Sequence, residues 1–420
     1  MLHFSGLLAD PGREPSRSAR GAAATRPPRV SFQRSRPIDS SVGRGTRLVG
    51  HTRRLMAGAL HSFLLLSLLA GCSDDSQIGF RSGSPLDALP VWISPLLDSG
   101  LRPDWSSDSR RLIYLDALVG NVFELDIASG TSRSLTEHFE HDGFTRARYL
   151  SSGDLLLCGP VADTAAGEGP ERWHAQLWFL SRNGGSPAQP LDEPCFEGPA
   201  VARDGMRIAW TRSDYPDRLL FGRSELWTGR IIVDDAKPRL VDRRRVVDRS
   251  DFMYLAFLET QDFRPPDETE LMFTAYGYRG GEVMGVDLEA GEMTNYSLDW
   301  AYDEAEGVFP DGRSIAVERE VNTYSGEPEG DIDIWQLALD GSGRYRRLTY
   351  FTEHEGFGAN NPVISPDGRY MAFGLRIKGG AHGNAQGILL FDFEKAPKRT
   401  SQDGDAHANV GPARDPGAGV

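Results

Sequence analysis

Five short segments of this 420-residue chain are variations on one theme: PDWSSDSRRLIYLD (103–116), YLSSGDLLLCG (149–159), AVARDGMRIAWTR (200–212), GVFPDGRSIAVER (307–319) and VISPDGRYMAFGL (363–375). Each is a small turn followed by a short apolar run. The DG, PDG and SSG cores supply the positive φ of a tight turn, which glycine adopts without a Cβ penalty. Alternating β-formers on either side make each segment a β-hairpin. Further strand-like runs lie downstream: NVFELDI, QLWFLSR, ELWTGRIIV, EVMGVDL, DIWQLALDG and GILLFDF. Four-stranded units recurring every 40 to 55 residues or so argue for a β-propeller rather than a sandwich. Such a unit cannot bury both faces alone and must stack on its neighbours around a ring.

The run Pro103-Asp104-Trp105-Ser106-Ser107-Asp108, then an apolar strand, a third strand and a closing Leu-Thr, resembles the TolB-type, WD40-like propeller repeat. Ser134-Leu135-Thr136 and Arg347-Leu348-Thr349 carry the closing element. The resemblance covers Leu86 to about Pro397 and implies an all-β, six-bladed propeller, with first inner strands near Asp104, Phe144, Pro199, Met253, Gly307 and Asn361. The fourth repeat, DFMYLAFLETQDFRPPDETELMFTAYG, lacks the DG hairpin, so its register is the least determined. Residues from Pro90, PVWISPLLDSGLRPDWS, match an outer strand running into an inner one. The VWI segment is therefore expected to complete the last blade and remove an exposed strand edge. The repeat specifies a fold and is silent on function. No α/β domain is read before the repeats, so the role of TolB itself is not carried over.

Ahead of the repeats the chain changes character. Residues 1–55 hold eleven Arg, no Lys and three acids among Ser, Gly, Pro and Ala, without apolar periodicity, and read as a disordered leader or a start-site artefact. Residues 56–72, with the basic flank Arg53-Arg54 just before them, have the short apolar run and small-residue end of a signal peptide, the run Phe63–Ala70 being too short to span a bilayer stably. Leu69-Ala70-Gly71-Cys72 resembles a bacterial lipobox. That resemblance implies diacylation of Cys72, a linker over 73–85 and lipid attachment to the membrane, and Ser73 after the Cys implies outer-membrane sorting towards the periplasm. An ordinary signal peptide and a twin-Arg route through Arg53-Arg54 remain alternatives. Residues 398–420 read as a disordered tail.

From Cys72 onward, 35 basic and 57 acidic residues give a net charge of −22. Such a body repels nucleic acid. Cys158 and Cys195 are expected to be buried and unpaired, although an oxidising compartment would permit their disulfide.

Four links between blades carry an acid followed by Gly: Asp142-Gly143 in EHDGF, Glu197-Gly198 in CFEGP, Glu306-Gly307 in DEAEGVF and Glu355-Gly356 in EHEGF. In a propeller these links cross one face and lead into the innermost strands, so the acids are expected at the channel mouth. With His141 and His354, Glu306 and Glu355 could hold Ca²⁺ or Mn²⁺. Alternatively the acids could receive a cationic partner, or be solvated on the rim. Arg146, Asn360 and Asn361 fall near inner-strand starts, where a guanidinium and two amides suit a carboxylate or sugar hydroxyls. Trp105, Trp178, Trp210, Trp227 and Trp335 fit an inter-blade core, and RLVDRRRVVDRS (239–250) a solvated outer strand.

No nucleophile elbow, P-loop or dinucleotide fingerprint is present in the sequence. Two function classes follow. One is an envelope scaffold binding a protein or peptidoglycan-associated partner. The other is a metal-dependent lyase or hydrolase of acidic oligosaccharides, resembling oligogalacturonate lyases. For that second class His354, His382 and Gln386 are the C-terminal candidates, at a spacing that does not reproduce the family's cluster.

Overall fold

Strand-forming residues and turns alternate through the chain, and the fold follows that rhythm. In the computed structural model the described residues are 80–160, 173–182, 185–215, 217–218, 221–277, 280–299, 301–321, 331–378 and 386–397. The leader, the signal segment with Cys72, most of the linker, His382 and the tail lie outside them.

Strand β1 (Ile93–Leu97) comes first. Blade one follows as β2 (Leu101–Trp105), β3 (Arg111–Leu115), β4 (Val122–Asp126) and β5 (Thr131–Ser134). Blade two is β6 (Arg146–Tyr149), β7 (Leu155–Pro160), β8 (Ala175–Leu180) and β9 (Gln189–Cys195). Blade three is β10 (Ala200–Val201), β11 (Arg207–Ser213), β12 (Ser224–Asp234) and β13 (Lys237–Asp248). Blade four is β14 (Phe257–Arg264), β15 (Glu270–Gly277), β16 (Gly280–Asp287) and β17 (Met293–Asn295). Blade five is β18 (Asp303–Val308), β19 (Ser314–Glu320), β20 (Ile332–Ala338) and β21 (Tyr345–Arg347), and blade six is β22 (Phe357–Ile364), β23 (Tyr370–Ile377) and β24 (Ile388–Asp392).

All six sheets are four-stranded and antiparallel, and the sixth is completed by β1 pairing with β24. Ile93 lies opposite Phe391, so the strand that precedes the first blade closes the last one, as the VWI segment implied. Each inner strand touches those of the adjacent blades, β2 reaching both β6 and β22, which closes the ring.

Blades stack face to face, so a middle strand must be apolar on both sides. In β7 every residue is buried, whereas the outer β5, TSRS, is exposed over three of four positions. One apolar cluster fills each interface between blades: Phe144, Ala147 and Leu157 meet Ile113 and Leu115 between blades one and two, and Leu258, Phe263 and Phe273 meet Leu226 and Ala209 between blades three and four. Trp210 is fully buried in this packing, and the Trp105 indole N–H donates to the Val363 carbonyl at 3.1 Å, tying blade one to blade six. Trp335 departs from the expected core role. It is only half-buried, with the Arg319 and Arg347 guanidinium groups 5.9 and 5.8 Å from its ring. The segment Arg239–Ser250 lies mostly in outer strand β13, as its charge pattern suggested.

Three details differ from the sequence reading. Blade four starts at Phe257, not near Met253, because Asp248 caps a short 3-10 turn at Arg249–Asp251 and leaves Met253 fully exposed in the link. Its missing DG hairpin is replaced by the turn Arg264–Glu268, closed by the Glu268 N–H to the Arg264 carbonyl at 3.0 Å. Blades five and six begin at Asp303 and Phe357, four residues earlier than expected. Finally, Cys158 and Cys195 form a disulfide, which corrects the expectation of unpaired thiols. Cys158 is opposite Leu177 and Cys195 opposite Ala175, so the bridge passes over the start of β8 and joins β7 to β9.

Candidate functional site: the central channel

The inner strands are not regular. In four of them the ladder slips at the same level, between Leu101 and Asp104, Thr260 and Asp262, Ala305 and Val308, and Asn360 and Val363. A bulge leaves residues out of the ladder and re-aims their side chains. The positions released are those of Arg102, Gln261, Glu306 and Asn361. The local cause is written in two of them, since Pro103 and Pro362 have no N–H to continue the pairing. Arg102 and Asn361 hold φ of 49° and 46°, a left-handed conformation that costs a side-chain-bearing residue about 1 kcal/mol or more.

At the end of the channel where the links arrive, carboxylates gather. Glu197, Glu259, Glu306 and Glu318 are each at least nine-tenths buried, and half-buried Glu304 accepts a short hydrogen bond from the Tyr302 hydroxyl. Arg102 pairs with one of them: its Nη2 donates to Glu197 Oε2 at 3.0 Å and its Nη1 to the Thr145 carbonyl at 2.5 Å, joining blade one to the links around it. Glu259 accepts from the Tyr276 hydroxyl at 2.9 Å; burial, then the charges of Glu304 and Glu197, push its carboxyl up to about 8. Glu318 Oε1 accepts from the Asn361 backbone N–H at 2.6 Å and is pushed up by burial and Glu304. Glu306 is raised well above the carboxylate range by burial and by Glu318 and Glu304, with Arg146 opposing. Its Oε1 is buried and meets no donor among the described residues, and its carboxyl is within hydrogen-bond reach of that of Glu318.

Below this cluster Arg148 reaches across the channel. Its Nη1 meets Asp104 Oδ1 at 3.0 Å, its Nε the Pro199 carbonyl at 3.3 Å and its Nη2 the Gln261 carbonyl at 3.4 Å. One guanidinium therefore links blade two to blades one and four and to the start of blade three. Beyond it, at the hairpin end of the inner strands, lies a cavity of about 320 Å³ to which all six blades contribute.

The residues singled out from sequence divide accordingly. Glu197, Glu306, Arg146 and Asn361 come together in the channel; the Arg146 Nε–H donates to the Glu197 carbonyl at 3.4 Å. An added Cβ at Gly198 would sit 2.8 Å from Arg146 Nε and would displace that side chain. Asn360 stays in the ladder opposite Gly374, where an added Cβ would meet the Asn360 amide oxygen at 2.4 Å and force that side chain to move. Asp142 and Glu355 are exposed outside this cluster. The four acid-Gly pairs are thus unequal: Gly143 and Gly356 make turns with φ of 90° and 80°, while Glu306-Gly307 lies inside strand β18 rather than in a link.

The two histidines are used locally. The His141 Nδ1 accepts the Gly143 N–H at 2.9 Å and its Nε2 meets the Asn121 amide oxygen at 3.1 Å, and burial lowers its pKa. His354 meets the Gly83 carbonyl through Nδ1 at 3.0 Å, where Arg81 lies alongside as a parallel bridge. Each ring is thus engaged elsewhere, His141 with Gly143 and Asn121 and His354 with the segment before β1, and His141, His354, Glu306 and Glu355 do not converge. Among the described residues, no group of three or more His, Cys, Asp or Glu side chains is arranged to hold a metal ion. The residues that the sequence reading passed over are Arg102, Arg148, Glu259, Gln261 and Glu318. For Arg148 a signal existed, since it follows Arg146 by two positions and so shares its face of the strand.

No family model matches the chain, and no curated protein matches it. Solved structures do. A putative TolB from Agrobacterium tumefaciens is 16% identical over 66% of this chain and 86% of its own, with a TM-score of 0.47. TolB from Acinetobacter baumannii is 15% identical over 66% and 67%, with a TM-score of 0.39. An oligogalacturonate lyase from Vibrio parahaemolyticus is 12% identical over 70% and 77%, with a TM-score of 0.42. Likeness at this level concerns fold alone. By its own six sheets the chain is a six-bladed β-propeller, consistent with the TolB-like resemblance of its repeats.

Proposed function

We propose that the protein is a binding scaffold of the bacterial cell envelope whose channel, at the link end, receives a cationic group of a protein or cell-wall-associated partner. The observation that carries this reading is Glu306, buried to 4% exposure, whose Oε1 meets no donor among the described residues and whose carboxyl has another carboxyl, Glu318, as its neighbour. Burying a polar oxygen without a partner is costly, and here three further glutamates surround it with Arg146 as the opposing charge. A guanidinium or ammonium inserted among them would satisfy Glu306 and relieve the repulsion. The resemblance of Leu69-Ala70-Gly71-Cys72 to a lipobox supports a lipid anchor at Cys72, and Ser73 after it an outer-membrane location facing the periplasm.

The metal-dependent lyase reading has no arrangement of described side chains in its favour. A divalent cation, Ca²⁺ or Mn²⁺, remains the competing occupant of the same carboxylates.

Calorimetric titration of the full-length protein with a tri-arginine peptide tests the proposal, with Ca²⁺ and Mn²⁺ titrated in parallel. Glu306→Gln is expected to weaken peptide binding about tenfold, the loss of one charge-assisted bond. Binding should also release protons, because Glu259 and Glu306 are held protonated above the ordinary range. Equal affinity in the variant, or tighter binding of a metal than of the peptide, would overturn the reading.

A further inference from the structure

The cavity at the opposite end of the channel carries a second, chemically different site. Its polar groups are not used up by the fold. Asp262 accepts the Val308 N–H through Oδ2 at 3.0 Å, and among the described residues its Oδ1 has no hydrogen-bond donor. Arg203 donates from Nη2 to the Val308 carbonyl at 3.3 Å, and no other acceptor of its side chain lies among the described residues. Both residues line the cavity, and they make no direct salt bridge, although the charges of Arg203 and, after it, Arg148 act on the Asp262 carboxyl. Gln261 lines it too. That residue is 3% exposed and its amide Nε2 is buried without an acceptor among the described residues.

The other charged pair in the wall is already complete. Asp104 binds Arg148 through Oδ1 and the Tyr149 N–H through Oδ2 at 2.8 Å. What is left is one carboxylate, one guanidinium and one amide donor, beside apolar surface from Trp105, Val201 and Ile364. A ligand complementary to that set needs an ammonium for Asp262, a carboxylate for Arg203 and Gln261, and a side chain for the apolar wall. We propose that this cavity binds a free α-amino acid, its ammonium on Asp262 and its carboxylate on Arg203 and the Gln261 amide. The cavity's 320 Å³ is at the small end of ligand pockets, which suits a molecule of this size. The site is independent of the link-end cluster, and either can fail without the other.

The test is a thermal-shift series on the full-length protein with each of the twenty free L-amino acids, at pH 7.5. At least one apolar amino acid is expected to raise the Tm by about 2 °C or more at saturation. Its N-acetyl derivative and its methyl ester, each lacking one charge, should not. Asp262→Asn keeps the acceptor for Val308 and should abolish the shift, as should Arg203→Gln, while both variants retain a cooperative melt. The proposal fails if no amino acid shifts the melt, if a singly charged derivative shifts it equally, or if a neutral sugar such as glucose shifts it more. Because the apolar wall would select the side chain, the panel also reports which amino acid fits.

Discussion

Arg148 shows how one side chain can hold a ring together. Its guanidinium bonds to Asp104, to the Pro199 carbonyl and to the Gln261 carbonyl, so it spans contacts that no backbone ladder makes. Burial raises the pKa of Asp104 and Arg148 opposes that shift. Arg148→Ala would strand Asp104 without its cation, and since the pair is only partly buried the loss should fall short of about 3–5 kcal/mol, the cost for a fully buried pair. The urea midpoint of the variant should fall accordingly. Arg148→Lys should recover only a part, since an ammonium cannot reproduce the three-way fork. A variant as stable as the parent would show that Arg148 is not the tie between blades. The sequence made Arg146 and Glu306 legible as channel candidates because strand period and link position are local. It could not reveal that Asp142 and Glu355 face solvent while Glu259 and Glu318 turn inward, since that depends on bulges set by pairing between strands.

At the scale of elements, the hairpin repeats made most blades readable, because turn chemistry and alternation lie within a dozen residues of each other. Blade four escaped where a proline turn replaced the glycine one. The disulfide escaped for a different reason: Cys158 and Cys195 are 37 residues apart, and only the pairing of β7, β8 and β9 brings them together. Closing a loop of that length restricts the unfolded chain, a stabilisation of about 2–4 kcal/mol. The double variant Cys158→Ser, Cys195→Ser should therefore unfold at lower urea with a somewhat steeper slope, because its unfolded chain is less compact, and the reduced parent should match it. If oxidised and reduced protein unfold at the same midpoint, the bridge is not formed in solution. The closing strand β1 needs no such covalent help, because its ladder with β24 and the buried Ile93 already tie the two ends of the ring.

For the molecule as a whole, charge decides the response to pH, and it does so in the unusual direction. Most acidic proteins lose stability on acidification because paired carboxylates must take up protons. Here the buried channel groups already favour the protonated form. Burial pushes Asp262 up to about 6 and Glu259 up to about 8, and raises Glu306 further from its ordinary value. A carboxyl whose folded pKa lies above its unfolded value contributes stability that is fully present below about pH 4 and is lost as the pH rises through the folded value. His141 works the other way, since its lowered pKa favours the folded state above about pH 6.5. One histidine is outnumbered by the channel carboxyls, so stability should decline from pH 5.5 to pH 8. Each proton held by the folded but not the unfolded chain contributes a slope of about 1.4 kcal/mol per pH unit. Urea unfolding at pH 5.5 and 7.5 measures the difference directly. Glu259→Gln, which cannot ionise, should flatten the slope between pH 6 and 8 and leave the stability at pH 5.5 close to that of the parent. A parent protein that is more stable at pH 7.5 would mean that the cluster is ionised and already neutralised, and the cationic site proposed for Glu306 would lose its physical basis.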